Sequence, residues 1–245
     1  LPYVMGEGNK KLSKRDPQSN FQMYVDEGYL PEALVNYLAL LGWSIGEDRE
    51  FFSLQEMAAA FDISRVNPNP ARFDLKKCTA INGDWIRALD ASDLADRMVP
   101  FLQRDGVLGL QISEDQRQLL VAATPLVQER LETLAQASGM LGFLFAGDGF
   151  AVNPDDAQKV LTEQGREVVR AAWEALEPLD DFAAGPIQEV LREALVAGLG
   201  IKPKLAFGPV RVAVTGRRVS PPLFESMELL GREQSLTRLR AVLEG

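Results

Sequence analysis

The sequence predicts a mainly α-helical protein, and three observations support this fold class. From about residue 90 onward, apolar residues recur at helical spacing almost without interruption. Helix start and stop signals divide that pattern into segments of ordinary helix length. The one segment that we expect to form a strand is the short run Tyr3-Val4-Met5.

The elements before residue 90 follow from local signals. The glycines of residues 6–9 predict a turn, which a polar loop follows. Pro31 is a favoured first residue, and the apolar spacing after it predicts a helix that ends at Gly42. Ser53 and Glu56 have the spacing of a capping box, so a second helix should run from there through Phe61. The two prolines of residues 67–70 predict a loop before the next element.

Beyond residue 90 we expect a series of helices. Their predicted start signals are Ser92, Ser113 with Gln116, Asn153-Pro154, and Gly185-Pro186. The helix that begins after Ser113 should continue through Leu131 and Leu134. Two further helices, over 223–230 and 236–243, should be separated at Gly231.

Residues 210–214 allow two interpretations. Val210, Val212 and Val214 alternate as in a strand, whereas Pro209 can equally be the first residue of a short helix. We favour the helix because nothing nearby offers a partner strand.

Composition excludes several classes of catalyst. The chain has 245 residues with 26 Lys+Arg, 35 Asp+Glu, one cysteine and no histidine, for a formal charge of −9. Without histidine there can be no Ser-His or Cys-His pair and no zinc helix with paired histidines. Cys78 alone cannot close an intramolecular disulfide, so we expect a reducing cytoplasm. The longest apolar stretch is interrupted by Asn36 and is shorter than the ~20 residues that cross a bilayer, so we expect no membrane partner.

The start of the chain and its charge distribution lead to two further expectations. The chain begins with Leu1 and has no signal-peptide pattern, so we expect a processed or truncated fragment. Residues 202–245 contain eight basic and four acidic side chains, and residues 1–20 contain four and two. Two basic ends on an acidic body suit a polyanion that is held at two places. Chance variation of a solvated surface explains the pattern equally well.

The run Lys11-Leu12-Ser13-Lys14-Arg15 is the most chemically suggestive motif. Its ammonium, hydroxyl and guanidinium groups can stabilise the charge that develops on a polyphosphate. Taken alone, such a run is more often a solvated surface loop. No Walker A pattern is present.

Two other segments carry polar groups of interest. Residues 73–77 place two lysines at a predicted helix start, where a cap and a phosphate contact are equally plausible. Residues 207–225 mix arginines, small polar residues and apolar groups, a composition that suits unpaired RNA bases. We expect most valines of that segment to pack in the core, but not Arg211 or Arg218.

The run at residues 11–15 resembles the "KMSKS" motif of class I aminoacyl-tRNA synthetases in its KLSKR form. The later segments resemble bacterial glutamyl-tRNA synthetases in order and over essentially the whole chain. They are GYLPEALVNYLALLGWS from Gly28, VNPNPARFDLKK from Val66, INGDWIR from Ile81, and FGPVRVAVTG and PPLFESMELLG near the end. The family's Rossmann-type half, with its "HIGH" motif and glutamate pocket, has no counterpart in these 245 residues.

This resemblance implies a domain organisation. Residues 1–20 would form the KMSKS-type ATP loop, and residues 21–90 a stem-contact fold that docks the inner corner of the tRNA. Residues 91–152 and 153–245 would form two all-helical, cage-like anticodon-binding domains.

The resemblance also implies a function, that of the C-terminal part of a glutamate–tRNA ligase that works through an ATP-dependent glutamyl-adenylate. Its partners would be glutamate tRNA and, in the complete enzyme, ATP with Mg²⁺ and L-glutamate. We expect a cytoplasmic monomer with no metal site in this portion, and no activity for this portion alone. The alternative is a stand-alone helical adaptor, derived from a synthetase, that has kept the fold and lost both aminoacylation and RNA binding.

Site residues follow by matching positions to the family's motifs. Lys14 would contact the ATP phosphates, and Lys11, Ser13 and Arg15 would shape the mobile loop. The family commonly continues with His-Gly, whereas this chain has Asp16-Pro17, which puts loop mobility in question. The residues expected to face the anticodon are Arg211, Arg218, Ser220, Pro221, Leu223 and Arg130. For Arg130, a solvated arginine on an amphipathic helix is an equal alternative.

Overall fold

The computed structural model describes residues 3–6, 10–46 and 48–244. Helices dominate it, so the prediction of a mainly α-helical fold is confirmed. The chain divides into two compact units. The first comprises Leu1–Asp105 and Gln128–Ala137, and the second comprises Gly106–Val127 and Ser138–Gly245. Within the described ranges, no helix combines the length and apolar character needed to span a membrane.

The first unit combines helices with a very small sheet. Its elements are β1 (Val4–Met5), α1 (Phe21–Glu27), α2 (Pro31–Leu40), α3 (Leu54–Ala60), β2 (Ala71–Arg72), α4 (Leu75–Ala88) and α5 (Ala91–Arg104). The strands are parallel, with Val4 opposite Ala71 and Met5 opposite Arg72. Met5 also forms an antiparallel bridge with Lys11. The predicted strand at residues 3–5 is thus confirmed at Val4 and Met5, whereas residues 7–9 of the predicted turn lie outside the described residues.

The core of the first unit is partly aromatic. Tyr24, Tyr37, Cys78 and Ile81 form a buried cluster, against which Phe73 packs. The ring centroids of Tyr37 and Phe73 lie 5.2 Å apart in an edge-on arrangement. Burial raises the pKa of the Cys78 thiol to about 12, so the thiol is protonated at neutral pH.

A buried amide connects distant parts of this unit. Asn82 is fully buried, and its Oδ1 accepts the Leu30 N–H at 2.8 Å. Its Nδ2 donates to the Glu132 carbonyl at 2.6 Å. Asn82 therefore joins the start of α2 to the segment that follows residue 128.

Among its described residues, every secondary-structure element of the second unit is a helix. It contains α6 (Glu114–Gln128), α7 (Ala137–Phe145), α8 (Pro154–Val160), α9 (Glu163–Leu176), α10 (Ala184–Leu191), α11 (Pro203–Thr215), α12 (Leu223–Leu230) and α13 (Arg232–Glu244). The last residue of α6 and the first residue of α7 fall in the first unit, because the second unit includes α6 up to Val127 and α7 from Ser138. A π-helical segment, Arg192–Gly198, continues α10. Helix α9 packs against both α11 and α13, and α10 packs against α12.

A buried arginine supports the end of α11. The guanidinium of Arg238 donates to the carbonyls of Val214 and Phe143, at 2.8 Å each. It also lies 3.8 Å from the ring centroid of Phe150. Burial lowers the pKa of Arg238 to about 10, which still leaves it charged at neutral pH.

Most predicted helix starts are confirmed. Ser53 and Glu56 form both halves of a capping box. The backbone N–H of Gln116 donates to Ser113 Oγ at 3.1 Å, and Ser113 N–H donates back to the Gln116 side chain at 3.0 Å. Asn153 caps α8 through the Asp156 N–H. The Gly185-Pro186 signal lies in the first turn of α10.

Other expectations are corrected by the structure. Ser92 does not cap α5, because Asp90 accepts the Ser92 N–H at 2.8 Å and is itself the cap. The helix after Ser113 ends at Gln128. Leu131 and Leu134 therefore lie beyond it, and Leu134 belongs to a separate 3₁₀ turn.

The helical interpretation of residues 210–214 is confirmed. These residues lie within α11, which begins at Pro203, so Pro209 is an interior residue of the helix rather than its first residue. Gly231, with a φ of 85°, separates α12 from α13 as expected.

Candidate phosphate loop and candidate RNA-contacting cleft

The loop that carries Lys11 begins at the small sheet of the first unit. The Leu12 N–H donates to the Val4 carbonyl at 2.9 Å, and the Gly6 N–H donates to the Lys10 carbonyl at 2.8 Å. These bonds fix the backbone on either side of Lys11. The Lys11 side chain is exposed, and its Nζ lies 5.9 Å from the ring centroid of Tyr3.

Short-range hydrogen bonds close the tip of the loop. Asp16 Oδ2 accepts the Ser13 N–H at 2.7 Å, and Ser13 Oγ accepts the Arg15 N–H at 3.2 Å. The Asp16 N–H donates to the Ser13 carbonyl at 3.0 Å. The side chains of Lys14 and Arg15 are exposed on this turn. The four predicted loop residues thus share one segment whose cations face solvent.

Asp16, the residue that departs from the family pattern, participates directly in this turn. Its carboxylate holds the start of the turn, and its carbonyl accepts the Ser19 hydroxyl at 2.8 Å. Pro17 begins the single 3₁₀ turn Pro17–Ser19. Local bonds therefore determine both the turn and the exit from it.

A cleft of about 680 Å³ opens in the second unit beside α11. Four cationic side chains line it, namely Lys159, Lys204, Arg211 and Arg218. Among the described residues that line it there is no Asp or Glu. The cleft therefore concentrates positive charge on an otherwise acidic chain, and it suits an anionic ligand.

Arg211 links α11 to the segment that precedes α12. Its Nη1 donates to Ser220 Oγ at 2.7 Å and to the Pro221 carbonyl at 2.6 Å. The half-buried guanidinium thus both lines the cleft and fixes the chain that passes beside it.

Arg218 is positioned by a glycine turn. Gly216 has a φ of +78°, and a Cβ built there would lie 2.9 Å from the Ala151 carbonyl oxygen. The Asn153 N–H donates to the Gly216 carbonyl, and Asp156 Oδ2 accepts the Arg218 N–H, at 2.9 Å each. The backbone of Arg218 is therefore held while its side chain is exposed at the cleft.

The other residues expected to face the anticodon occupy different environments. Ser220, Pro221 and Leu223 are buried, and Leu223 is the first residue of α12. Arg130 is exposed and belongs to the first unit. Of the six residues, the structure brings only Arg211 and Arg218 into the lining of the cleft.

Sequence reasoning missed part of this lining. Lys159 lies in the last turn of α8 and Gln164 in the first turn of α9, both far along the chain from the segment that was singled out. Neither belongs to a recognisable motif. Lys204 contributed only to the count of basic residues. Helical spacing could have placed Lys159 on a helix, but it does not show which helices pack together.

The described residues offer no cluster of three or more His, Cys, Asp or Glu side chains suited to a metal ion.

Family models match both parts of the chain. The model described as "Anticodon binding domain" matches residues 93–243. The model described as "tRNA synthetases class I (E and Q), catalytic domain" matches residues 1–80. A "Glutamate--tRNA ligase" of Saccharopolyspora erythraea is 60% identical over 243 residues, and one of Kocuria rhizophila is 57% identical over 242 residues. The chain belongs to the glutamyl-tRNA synthetase family.

The match includes nearly the whole of this chain but only part of each of these glutamyl-tRNA synthetases. It covers 99% of this chain but 48% of each of the two relatives, so the chain spans about half their length. It corresponds to their C-terminal portion.

Solved structures of the family have the same fold. A glutamate tRNA ligase from Elizabethkingia meningosepticum, crystallised in complex with its amino acid, superposes with a TM-score of 0.82 at 24% identity. A glutamate-tRNA synthetase from Elizabethkingia anophelis superposes with a TM-score of 0.77 at 24% identity. Each match covers 100% of this chain and 50% of the solved chain.

Proposed function

We propose that this chain is the C-terminal part of a glutamate–tRNA ligase, an enzyme that joins glutamate to its tRNA through an ATP-dependent glutamyl-adenylate. The observation that carries the proposal is the 57–60% identity to glutamate–tRNA ligases over 99% of the chain. In that enzyme, this portion would supply the ATP-phosphate loop and would bind the inner corner and the anticodon of the tRNA.

The proposed role of residues 11–15 is electrostatic. Lys14 would contact the ATP phosphates, while Lys11, Ser13 and Arg15 shape the loop around them. The exposure of Lys14 and Arg15 supports this role, because a cation that faces solvent is available to a phosphate. Mg²⁺ would accompany ATP in the complete enzyme and partly neutralise the same phosphates.

The cleft beside α11, lined by Lys159, Lys204, Arg211 and Arg218, is called the Arg211 cleft below. Its proposed role is recognition of the glutamate anticodon. Arg211 and Arg218 would donate hydrogen bonds to unpaired bases, and Lys159 and Lys204 would neutralise the backbone phosphates between them. A cleft lined by four cations and no carboxylate among its described residues supports this role.

Other predicted residues would take supporting roles. Ser220 and Pro221 already accept hydrogen bonds from Arg211, so they would orient its guanidinium toward the anticodon. Leu223 would pack beneath them at the start of α12. Arg130 would approach the tRNA from the first unit.

The same proposal assigns the remaining parts of the chain. Residues 1–20 would form the ATP loop, residues 21–90 the stem-contact fold, and residues 91–152 and 153–245 the two anticodon-binding domains. The complete enzyme would act as a cytoplasmic monomer on glutamate tRNA, ATP and L-glutamate.

A tRNA-binding measurement with matched variants tests the role of the cleft. We expect Arg211→Ala and Arg218→Ala each to weaken binding of glutamate tRNA by on the order of 1 kcal/mol or more, about fivefold or greater. Arg217→Ala is the control, because Arg217 is exposed and adjacent in sequence but does not line the cleft. Equal affinities for all three variants and the unaltered chain would instead favour the stand-alone adaptor.

A second experiment tests the division of labour within the enzyme. ATP–pyrophosphate exchange by the purified 245-residue chain, with and without tRNA, should stay at background, because the chain has no counterpart of the "HIGH" segment. Clear exchange activity from this chain would overturn that part of the proposal.

A further inference from the structure

The charged side chains of the Arg211 cleft can form only one kind of hydrogen bond. Lys159, Lys204, Arg211 and Arg218 carry N–H donors and no acceptor. The described residues that line the cleft include no carboxylate. A ligand group that presents an acceptor therefore finds several partners among these side chains, whereas a ligand N–H group finds none.

Two uncharged side chains of the lining can accept a hydrogen bond. One is the hydroxyl of Thr162, which caps α9 and already accepts the Gly165 N–H at 3.2 Å. The other is the carboxamide of Gln164, whose Oε1 accepts and whose Nε2 donates. Gln164 is exposed, so its amide is available to a ligand in the cleft. Among the described side chains of the lining, Gln164 thus carries the acceptor that the helix cap does not use.

The backbone at Gln164 is held in place by its two neighbours. Thr162 fixes the first turn of α9 through its cap. A Cβ built on Gly165 would lie 2.0 Å from the Val160 carbonyl oxygen, so a larger residue there would force the start of α9 away from the end of α8. Gln164 lies between these two residues, and its amide therefore departs from a fixed point at the cleft.

The lining also includes apolar groups, which suit a nucleobase better than a phosphate alone. Leu205 lines the cleft and is 65% exposed. Phe207 lines it as well, and its ring lies edge-on to that of Phe224 with the centroids 5.3 Å apart. An unpaired base packs its face on such groups and keeps its polar edge free for hydrogen bonds. A side chain of the lining that can accept a bond from that edge then contributes to base selection.

The bases of the glutamate anticodon present N–H groups on that edge. The glutamate codons GAA and GAG pair with anticodons whose second base is U and whose third base is C. On the edge that pairs, U presents its N3–H and C its N4 amino group, each beside acceptor atoms. Lysine and arginine can donate to those acceptor atoms, but they cannot accept from the N–H groups.

We propose that Gln164 is a specificity-determining residue of the Arg211 cleft, and that its Oε1 accepts a hydrogen bond from an N–H group of the second or third anticodon base. The inference rests on the proposed anticodon role of this cleft and adds a residue to it. Arg211 and Arg218 then donate to base acceptors, while Gln164 accepts from a base donor.

Binding of the 245-residue chain to three glutamate tRNA transcripts tests this assignment. The first transcript has the natural anticodon, the second has C in place of the second-position U, and the third has U in place of the third-position C. Each replacement exchanges a base N–H group for an acceptor atom. The measured quantity is the discrimination ratio, which is the Kd for a replaced transcript divided by the Kd for the natural transcript.

For the unaltered chain we expect at least one discrimination ratio of about tenfold or more. Gln164→Leu should lower that ratio by about fivefold or more, because leucine cannot accept the base N–H. Gln158→Leu is the matched control, since Gln158 is an exposed glutamine of α8 beside Lys159 that does not line the cleft. A substitution that only disturbs the start of α9 would weaken binding of all three transcripts alike and leave the ratios unchanged.

Gln164→Glu separates the acceptor of the amide from its donor. The carboxylate keeps an acceptor oxygen and loses the N–H groups, and its negative charge should weaken binding of all three transcripts. The discrimination ratio should nevertheless be retained. A ratio that falls as far as it does for Gln164→Leu would show that the acceptor is not the group that selects the base, and would overturn the assignment.

The remaining outcomes separate this inference from the proposed function. A ratio lowered by Gln164→Leu and not by Gln158→Leu supports the inference, and the position at which it falls identifies the base. If the unaltered chain discriminates and Gln164→Leu keeps the same ratios, or if Gln158→Leu lowers them equally, the inference is overturned while the anticodon role of the cleft stands. If the unaltered chain binds all three transcripts equally, the anticodon role fails and the inference fails with it.

Discussion

The KLSKR loop and the Arg211 cleft both present cations to a phosphate-bearing ligand, but they are built in opposite ways. In the loop, the hydrogen bonds at the tip join residues two or three positions apart. In the cleft, the backbone of Arg218 is held by Asp156, 62 positions away. Arg238 reaches Phe143 across 95 positions to support the end of α11.

This difference predicts how each region responds to change. A turn that is closed by hydrogen bonds between near neighbours in the sequence keeps its conformation when distant residues are substituted. It also opens easily, because few contacts hold it. A cleft that depends on distant residues exists only while the whole unit is folded, and its groups are held in fixed positions. Substitutions in supporting residues should therefore be costly in the cleft and mild in the loop.

The largest effect is expected for Arg238→Met. The substitution leaves the buried carbonyls of Val214 and Phe143 without their donor and removes the stacking on Phe150. We expect the free energy of unfolding to fall by about 3–5 kcal/mol, measured by urea denaturation. Arg240→Met is the control on the same helix, because Arg240 is exposed and should cost less than about 1 kcal/mol. Similar costs for the two would show that Arg238 does not support the cleft.

Gly216→Ala should have the next largest effect. The new Cβ would meet the Ala151 carbonyl oxygen at 2.9 Å in a left-handed backbone conformation. We expect a loss of about 2–3 kcal/mol in thermal or urea unfolding, from the conformation and the clash together. Gly106→Ala separates the two causes, because Gly106 has a φ of +74° but open space around it, so its cost should be about 1 kcal/mol. Equal losses would assign the whole effect to the backbone conformation.

Asp156→Ala tests whether the hydrogen bond that holds the Arg218 backbone also contributes to tRNA binding. Losing the acceptor for the Arg218 N–H should cost about 1 kcal/mol of stability and should weaken tRNA binding severalfold, because the turn that carries Arg218 loosens. Asp155→Ala removes an equivalent charge from the first turn of α8 without touching Arg218. If both variants bind tRNA with equal affinity, the hold on Arg218 is not what positions it.

The smallest change in stability is expected for Asp16→Ala. The turn is exposed, so the free energy of unfolding should change by no more than about 0.5 kcal/mol. Cleavage by trypsin after Lys14 or Arg15 should nevertheless become severalfold faster, because the Ser13 N–H loses its acceptor. Asp16→Asn retains an acceptor oxygen and should be cleaved at nearly the original rate. Identical rates for all three chains would mean that the Asp16 carboxylate does not close the turn.

The same contrast explains what could be predicted from the sequence. The capping pairs Ser53–Glu56 and Ser113–Gln116 span three residues, and both were predicted correctly because the partners are visible in a local pattern. The prediction for Ser92 was wrong for an equally local reason, since Asp90 stands two positions earlier, accepts the Ser92 N–H and begins the helix before Ser92. Local competition between caps is difficult to resolve when several polar residues are adjacent.

The candidate sites show the limit of that reasoning. The motif placed Lys14 and Arg15 on an exposed loop, and the segment rich in arginine contained Arg211 and Arg218. Lys159 could not be found, because it lines the same cleft as Arg211 only through the packing of helices that are far apart in the sequence.

The burial of Cys78 has a practical consequence. Cys78 is 1% exposed and its thiol remains protonated at neutral pH, so reagents that require an accessible thiolate should not react with it in the folded chain. A cysteine introduced at Val219, which is 74% exposed beside Arg218, would then be labelled selectively without removing the native one. A fluorophore at that position would report on RNA arriving at the turn in real time.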